Sequence, residues 1–178
     1  MALTRIGLNQ SINLASNVTG TLPTGNGGTG ATSFAPGKVL QVVQGSTVTE
    51  VAQTTTSYAD TGLSAAITPS SSSNKILVQV VQSYELQDSS GSAPAAGIKI
   101  LRDSTTIFGG DRTYEIFFES YGTDRIFNFK PLVYLDTPST TSAITYKTQA
   151  AIYQSGDRIG TQPSTVESII TLMEISSW

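Results

Sequence analysis

The sequence predicts an all-β protein built as a sandwich or barrel. Short runs rich in Val, Ile, Thr and aromatics alternate apolar with polar side chains. Clusters of Gly, Pro, Ser and Asn interrupt them about every 8–12 residues, leaving roughly eight to ten strands. No window of any length has the three- and four-residue spacing of a helix. At 178 residues the chain suffices for one domain with a sizeable core plus a short extension. The expected division is an extended arm over residues 1–20, a Gly/Pro connector over 21–37 and a β-sandwich head over 38–178.

In the arm, Leu8, Ile12, Leu14, Val18 and Leu22 recur at even intervals through the polar sequence LNQSINLASNVTGTL, which lines them along one side of an extended chain. Such a stripe requires a partner, either copies of itself around a symmetry axis or a groove on another protein; the alternative is a disordered tail. In the connector, Gly25, Gly27, Gly28 and Gly30 lie between Pro23 and Pro36, so no helix or regular strand is expected there and the stretch reads as a hinge or clasp. Gly25–Gly30 also satisfies the G-x-G-x-x-G pattern of dinucleotide-binding folds, with Glu50 where a ribose-binding acid would fall. Its context excludes that use. Thr-Leu-Pro-Thr precedes it instead of a hydrophobic strand, and Pro36 comes too soon after it for a helix to open there.

The head begins with a strand at Val39–Gln44, ended by Gly45-Ser46, and a weaker one over Thr47–Thr56. Tyr58–Pro69 alternates loosely and meets a polar turn at Ser70–Asn74. The strongest strand is Asn74–Gln87, with Ile76, Val78, Val80, Tyr84 and Leu86 on one face and Gln79, Ser83 and Glu85 on the other. Leu77 and Val81 on that second face predict cover on both sides for part of its length. After a loop at Ser89–Ala96 come short strands at Gly97–Arg102 and Thr105–Phe108, broken by Gly109-Gly110. Tyr114, Ile116 and Phe118 alternate with Glu115, Phe117 and Glu119, predicting a strand with an apolar face and an acid-rimmed face. A turn at Tyr121–Asp124 leads to a strand over Ile126–Leu135, where Pro131 indicates an edge or a bulge. Ala143–Tyr153 is a strand, Gln154–Ser164 a polar loop, and Glu167–Ile175 a closing strand, apolar on both faces and therefore central. Strand-rich chains with few charges must protect their edges. Closure by oligomerisation does so, and a homotrimer is expected ahead of a dimer or a monomer.

Charged residues are only 13% of the chain and the net charge is −3, with the ten basic residues scattered. That argues against a nucleic-acid partner. Cysteine and histidine are both absent, which excludes disulfides, thiol chemistry, zinc fingers and Ser-His-Asp catalysis. No apolar run approaches the roughly 20 residues that span a membrane, and no secretory signal is expected at Met1–Gly7. Asp103, Asp111, Glu115, Glu119 and Asp124 include enough carboxylates for a glycosidase pair. Yet Glu115 and Glu119 beside Arg112 and Arg125 are explained more simply by surface ion pairs. Asp103 and Asp111 lack the spacing of a calcium loop. No catalytic residue, metal site or cofactor is expected. The aromatic and charged segment suits contact instead, with Tyr121, Asp124 and Arg125 on the turn, together with Arg112, Glu115 and Glu119, as candidates for binding a host glycan or protein.

Two resemblances extend this reading. NVTGTLPTGNGGTGATS, residues 17–33, resembles a segment that recurs in tail-fibre and related appendage proteins of tailed bacteriophages. It implies a virion component assembled in the host cytoplasm, whose N-terminal arm docks to tail, baseplate, portal or capsid and whose head meets the host surface. The order Y-A-D-T-G-L, Ser-rich turn, K-I-L-V-Q-V resembles the opening of jelly-roll domains in viral fibres and in the trimeric tumour-necrosis-factor-like family. That resemblance implies a jelly-roll head whose final strand lies near a threefold axis, with Ile169, Met173, Ile175 and Trp178 at the subunit interface. A capsid decoration or head-fibre protein is the alternative, and a polysaccharide-cleaving spike is a third.

Overall fold

A computed structural model describes residues 38–177 apart from 90, 92, 112–114 and 120–123. The arm residues Leu8, Ile12, Leu14, Val18 and Leu22, the connector glycines Gly25, Gly27, Gly28 and Gly30, and Arg112, Tyr121 and Trp178 lie outside the described residues.

The strands are β1 (Val39–Thr47), β2 (Val51–Gln53), β3 (Ala59–Ile67), β4 (Lys75–Gln87), β5 (Ala95–Arg102), β6 (Thr105–Gly109), β7 (Ile116–Phe117), β8 (Arg125–Asp136), β9 (Ile144–Ile152), β10 (Arg158–Thr161) and β11 (Ser168–Ile175). A 3-10 turn covers Pro163–Thr165. The first sheet runs β1-β11-β4-β10-β2, with β8 on the other side of β4; the second runs β3-β9-β5-β6, with β7 also on β5. All pairings are antiparallel. Leaving aside the short β2, β7 and β10, the eight main strands lie in the orders 1-8-3-6 and 2-7-4-5. That is the winding of a jelly-roll sandwich.

β4 is the spine. Its 13 residues pair with β8 from Ile76 to Gln87 on one side, and on the other with β11 at Lys75–Val81 and β10 at Tyr84–Gln87. Strict alternation sends Ile76, Val78 and Val80 inward to meet Ile170 and Leu172 of β11, Ile98 and Ile100 of β5, and Ile144 and Ile152 of β9. These aliphatics are buried almost completely, and each contributes about 1.5–3 kcal/mol by leaving water.

β11 is central, between β1 and β4, as its two apolar faces predict. β8, which carries Pro131, pairs with β4 alone among the described residues and is an edge. Three local expectations change. β1 does not stop at Gly45 but runs through it to Thr47, because a Cβ there would overlap the Ser64 carbonyl oxygen; the glycine permits close approach to β3. The strand expected over Thr47–Thr56 shortens to Val51–Gln53. Within the polar loop expected over Gln154–Ser164, Arg158–Thr161 forms β10, wedged between β4 and β2.

Several polar groups inside the sandwich pair with one another. Thr148 Oγ1 donates to Gln82 Oε1 at 2.8 Å, while Gln82 Nε2 and the Ser83 amide donate to Ser168 Oγ at 2.8 and 2.9 Å. At one end Arg102 donates to both oxygens of Asp136 at 2.9 and 2.8 Å, and the Tyr146 hydroxyl donates to the same carboxylate at 2.7 Å. Burial and that neighbouring negative charge push the Tyr146 hydroxyl pKa upward.

Candidate functional site: the outer face of the first sheet

Because side chains alternate, the residues of β1, β11, β4 and β8 that do not enter the core form the outer face of the first sheet. Register places them in rows. Leu77 of β4 stands opposite Met173 of β11 and Leu135 of β8, and Val42 of β1 stands opposite Met173. Val81 stands opposite Ile169 and Pro131. Phe129 and Phe127 follow on β8, opposite Ser83 and Glu85. Val42, Val133 and Phe127 are 57%, 55% and 55% exposed, and Phe129, Val81 and Leu135 are nearly as open. Gln44, Thr171 and Gln79 form a polar row between the Val42–Leu135 and Ile169–Pro131 rows, so apolar side chains of four adjacent strands meet solvent as neighbouring rows on one face, the kind of surface that marks an interaction site.

At its β10 end the patch deepens into a cavity of about 330 Å³ lined by Ser83, Tyr84, Phe127, Asn128, Phe129, Pro163 and Val166. Burial raises the pKa of the Tyr84 hydroxyl. Charge rims this end. Glu85 Oε1 lies 3.1 Å from Arg158 Nη1 and 3.7 Å from Arg125 Nη1, and Arg158 also pairs with Glu50. The Arg125 guanidinium sits 5.7 Å from the centre of the Phe127 ring, over its face. Gly160 leaves room for Arg158 to lie across β10, since a Cβ there would stand 2.9 Å from Nη1.

The acids singled out in the sequence are dispersed. Glu115 accepts the Gly110 and Ile98 amides at 3.1 and 3.3 Å and lies 3.8 Å from Lys130, so it is half-buried and ties β5 and β8 together. Burial raises its pKa, against the lowering effect of those amides and Lys130. Asp103 closes the turn between β5 and β6, accepting the Thr145 amide at 2.9 Å. Glu119, Asp124 and Arg125 are exposed. Ile116 enters the core, whereas Phe117 points out. Of the interface candidates, Ile169, Met173 and Ile175 share the outer face of β11 and are half-buried. Sequence reasoning did not group Val42, Val133 and Leu135 with them. The period-2 alternation of Ile126–Leu135 is the signal that carries the last two. Among the described residues no helix is long and apolar enough to cross a membrane.

No family model matches the chain, and no curated protein matches it. The chain is similar to structures of infectious bursal disease virus. For the Gt strain the TM-score is 0.36 at 12% identity, covering 97% of this chain and 44% of that one. For the T13 viral particle it is 0.34 at 11% identity, covering 97% and 41%. It is also similar to dimeric latent PorU from Porphyromonas gingivalis, with a TM-score of 0.33 at 12% identity over 84% of this chain and 15% of that one. The chain spans less than half the length of each. Strand order and register define the jelly-roll fold.

Proposed function

We propose that the protein is a non-enzymatic structural component of a tailed-phage virion: a fibre or spike whose jelly-roll heads trimerise through the outer face of the first sheet. The N-terminal arm docks the trimer to the particle, and the head adheres to a glycan or protein on the host surface. The observation that carries the assembly reading is the set of exposed apolar side chains on four strands from Val42 to Val133 and Phe129, which neighbouring copies turned about a threefold axis would cover. Half-burying each of these side chains contributes about 1 kcal/mol, enough over the whole patch to offset the cost of association. The phage reading is supported by the wording of residues 17–33. Adhesion would be weak at one head and strong over several, through avidity.

Immunogold labelling of intact particles with antibody against residues 38–177 tests the virion role. Gold at the tail end is expected. Gold over the head would replace the adhesive fibre by a decoration protein, and unlabelled particles would overturn both.

A further inference from the structure

The cavity between β8 and the Pro163–Val166 turn lies at the end of the first sheet away from the point where the chain enters it. Lys38 enters beside the end of β11, where its amide donates to Ser176 Oγ at 3.0 Å, and Ile175 pairs there with Lys75 at the start of β4. Ser83, on the cavity wall, comes later on β4, about 26 Å from that entry at the rise of an extended strand. A contact made at the cavity is therefore clear of the junction with residues 1–37.

One wall of the cavity is a strained turn. Gln162, Ser164 and Thr165 all adopt the left-handed backbone conformation, with φ of 56°, 53° and 65°. For the β-branched Thr165 this is a marked departure from the allowed regions. The turn is fastened to β4 and β11. Ser83 Oγ donates to the Val166 carbonyl at 2.8 Å, the Gln162 backbone amide donates to the Ser83 carbonyl at 3.3 Å, and the buried Gln162 side-chain amide lies 2.8 Å from Ser168 Oγ. Strain of this kind persists only where the surroundings over-determine it, and it concentrates at ligand sites. The cavity is thus shaped before anything enters it.

The opposite wall is aromatic. Phe127 and Phe129 of β8 are both about half exposed, and the Arg125 guanidinium lies over the Phe127 ring. Between them, Asn128 Oδ1 accepts the Phe129 amide at 2.8 Å, which fixes the side chain and leaves its NH2 group to donate. Glu85, held by Arg158 at 3.1 Å, adds an acceptor to the rim. A volume of about 330 Å³ is near the small end of ligand pockets, which suits a single ring.

We propose that this cavity binds one pyranose ring of a glycan, with its C–H face against Phe127 and Phe129 and its hydroxyls on Asn128, Arg125 and Glu85. A sugar carries both chemistries on one ring. An aliphatic side chain would meet the apolar walls and leave the polar rim unanswered. The proposal rests on the adhesive reading of the head and narrows its target to a glycan. Phe129 stands at the border between the cavity and the rows that neighbouring copies cover, so Phe127 is the ring that tests the cavity alone.

Saturation-transfer NMR of the full chain with the methyl glycosides of glucose, galactose, mannose and N-acetylglucosamine tests the site. Transfer to the ring protons of at least one is expected. Phe127→Ala is expected to weaken that binding about tenfold, while circular dichroism and sedimentation mass stay those of wild type, because the side chain is exposed. No transfer to any of the four glycosides would overturn the proposal. So would a Phe127→Ala chain that binds like wild type, or one that loses its assembled mass, which would give the cavity to a neighbouring copy. Gold at the tail end of particles, beside a chain that binds none of these sugars, would leave the fibre standing and remove this site alone.

Discussion

The outer face of the second sheet carries Asp60 and Ser64 on β3, Thr145, Lys147 and Gln149 on β9, and Lys99 on β5. Lys147 and Gln149 both reach Asp60 at 2.8 Å, and Lys99 lies 4.3 Å from the centre of the Tyr58 ring. The corresponding positions on the first sheet carry Val42, Leu77, Val81, Val133, Leu135 and Phe129, with Gln44, Thr171 and Gln79 as a single polar row among them. Both sheets present equally regular alternation inward, so the core does not distinguish them. The difference lies only in the residues that the core leaves outside. One face is finished for water, with short ion pairs that satisfy their own charges; the other is finished like the inside of an interface.

The largest effect is expected from breaking that asymmetry. Phe129→Lys with Val133→Lys places two charges on the apolar face. It is expected to weaken self-association by three orders of magnitude or more, about 4 kcal/mol, while circular dichroism and unfolding of the single chain stay near wild type. Ser64→Lys on the second sheet is the matched control, and its association constant is expected to be unchanged.

Next comes the scaffold that both faces share. Gly45→Ala forces β1 away from the Ser64 carbonyl and is expected to cost about 3 kcal/mol in urea unfolding, whatever the state of assembly.

A third test is the inward acid of β11. Glu174 is buried, which alone raises its pKa. Hydrogen bonds from Asn74 (2.6 Å), Gln41 (2.6 Å), and the Ser70 hydroxyl and amide (2.8 and 2.7 Å) outweigh burial and hold it at about 2. Its folded pKa lies below the ordinary 4.5, so the stabilisation is complete above about pH 5 and is lost as the pH falls toward 2. Glu174→Gln is expected to cost about 2 kcal/mol at pH 7 and to flatten the acid limb of the stability profile.

The smallest effect is expected on the solvated face. Lys147→Ala removes the pair with the half-exposed Asp60 and is expected to change stability by less than about 1 kcal/mol, and less again in high salt.

The asymmetry was half legible in the sequence. Leu77 and Val81 on the second face of β4, and Ile169, Met173 and Ile175 on that of β11, announce strands covered twice, because alternation is a local property. That β8 completes the same face depends on a pairing that joins Val81 to Pro131 and Ser83 to Phe129, which no local pattern encodes. β10 was invisible for the same reason. Arg158-Ile159-Gly160-Thr161 has one large aliphatic and comes soon after Gly156, and it is a strand only because β4 and β2 pair with it from far along the chain. Glu115 misleads in the opposite direction. Its alternation with Tyr114 and Ile116 reads as an acid-rimmed surface, but the chain turns it onto the Gly110 and Ile98 amides. Charge identifies an acid; only tertiary structure decides whether water or backbone satisfies it.

Sedimentation equilibrium of the full chain over a range of concentrations tests the assembly claim most directly. A single species of three times 18.7 kDa is expected. A mass of 18.7 kDa at every concentration would contradict the claim that the apolar face of the first sheet is where copies of this chain meet.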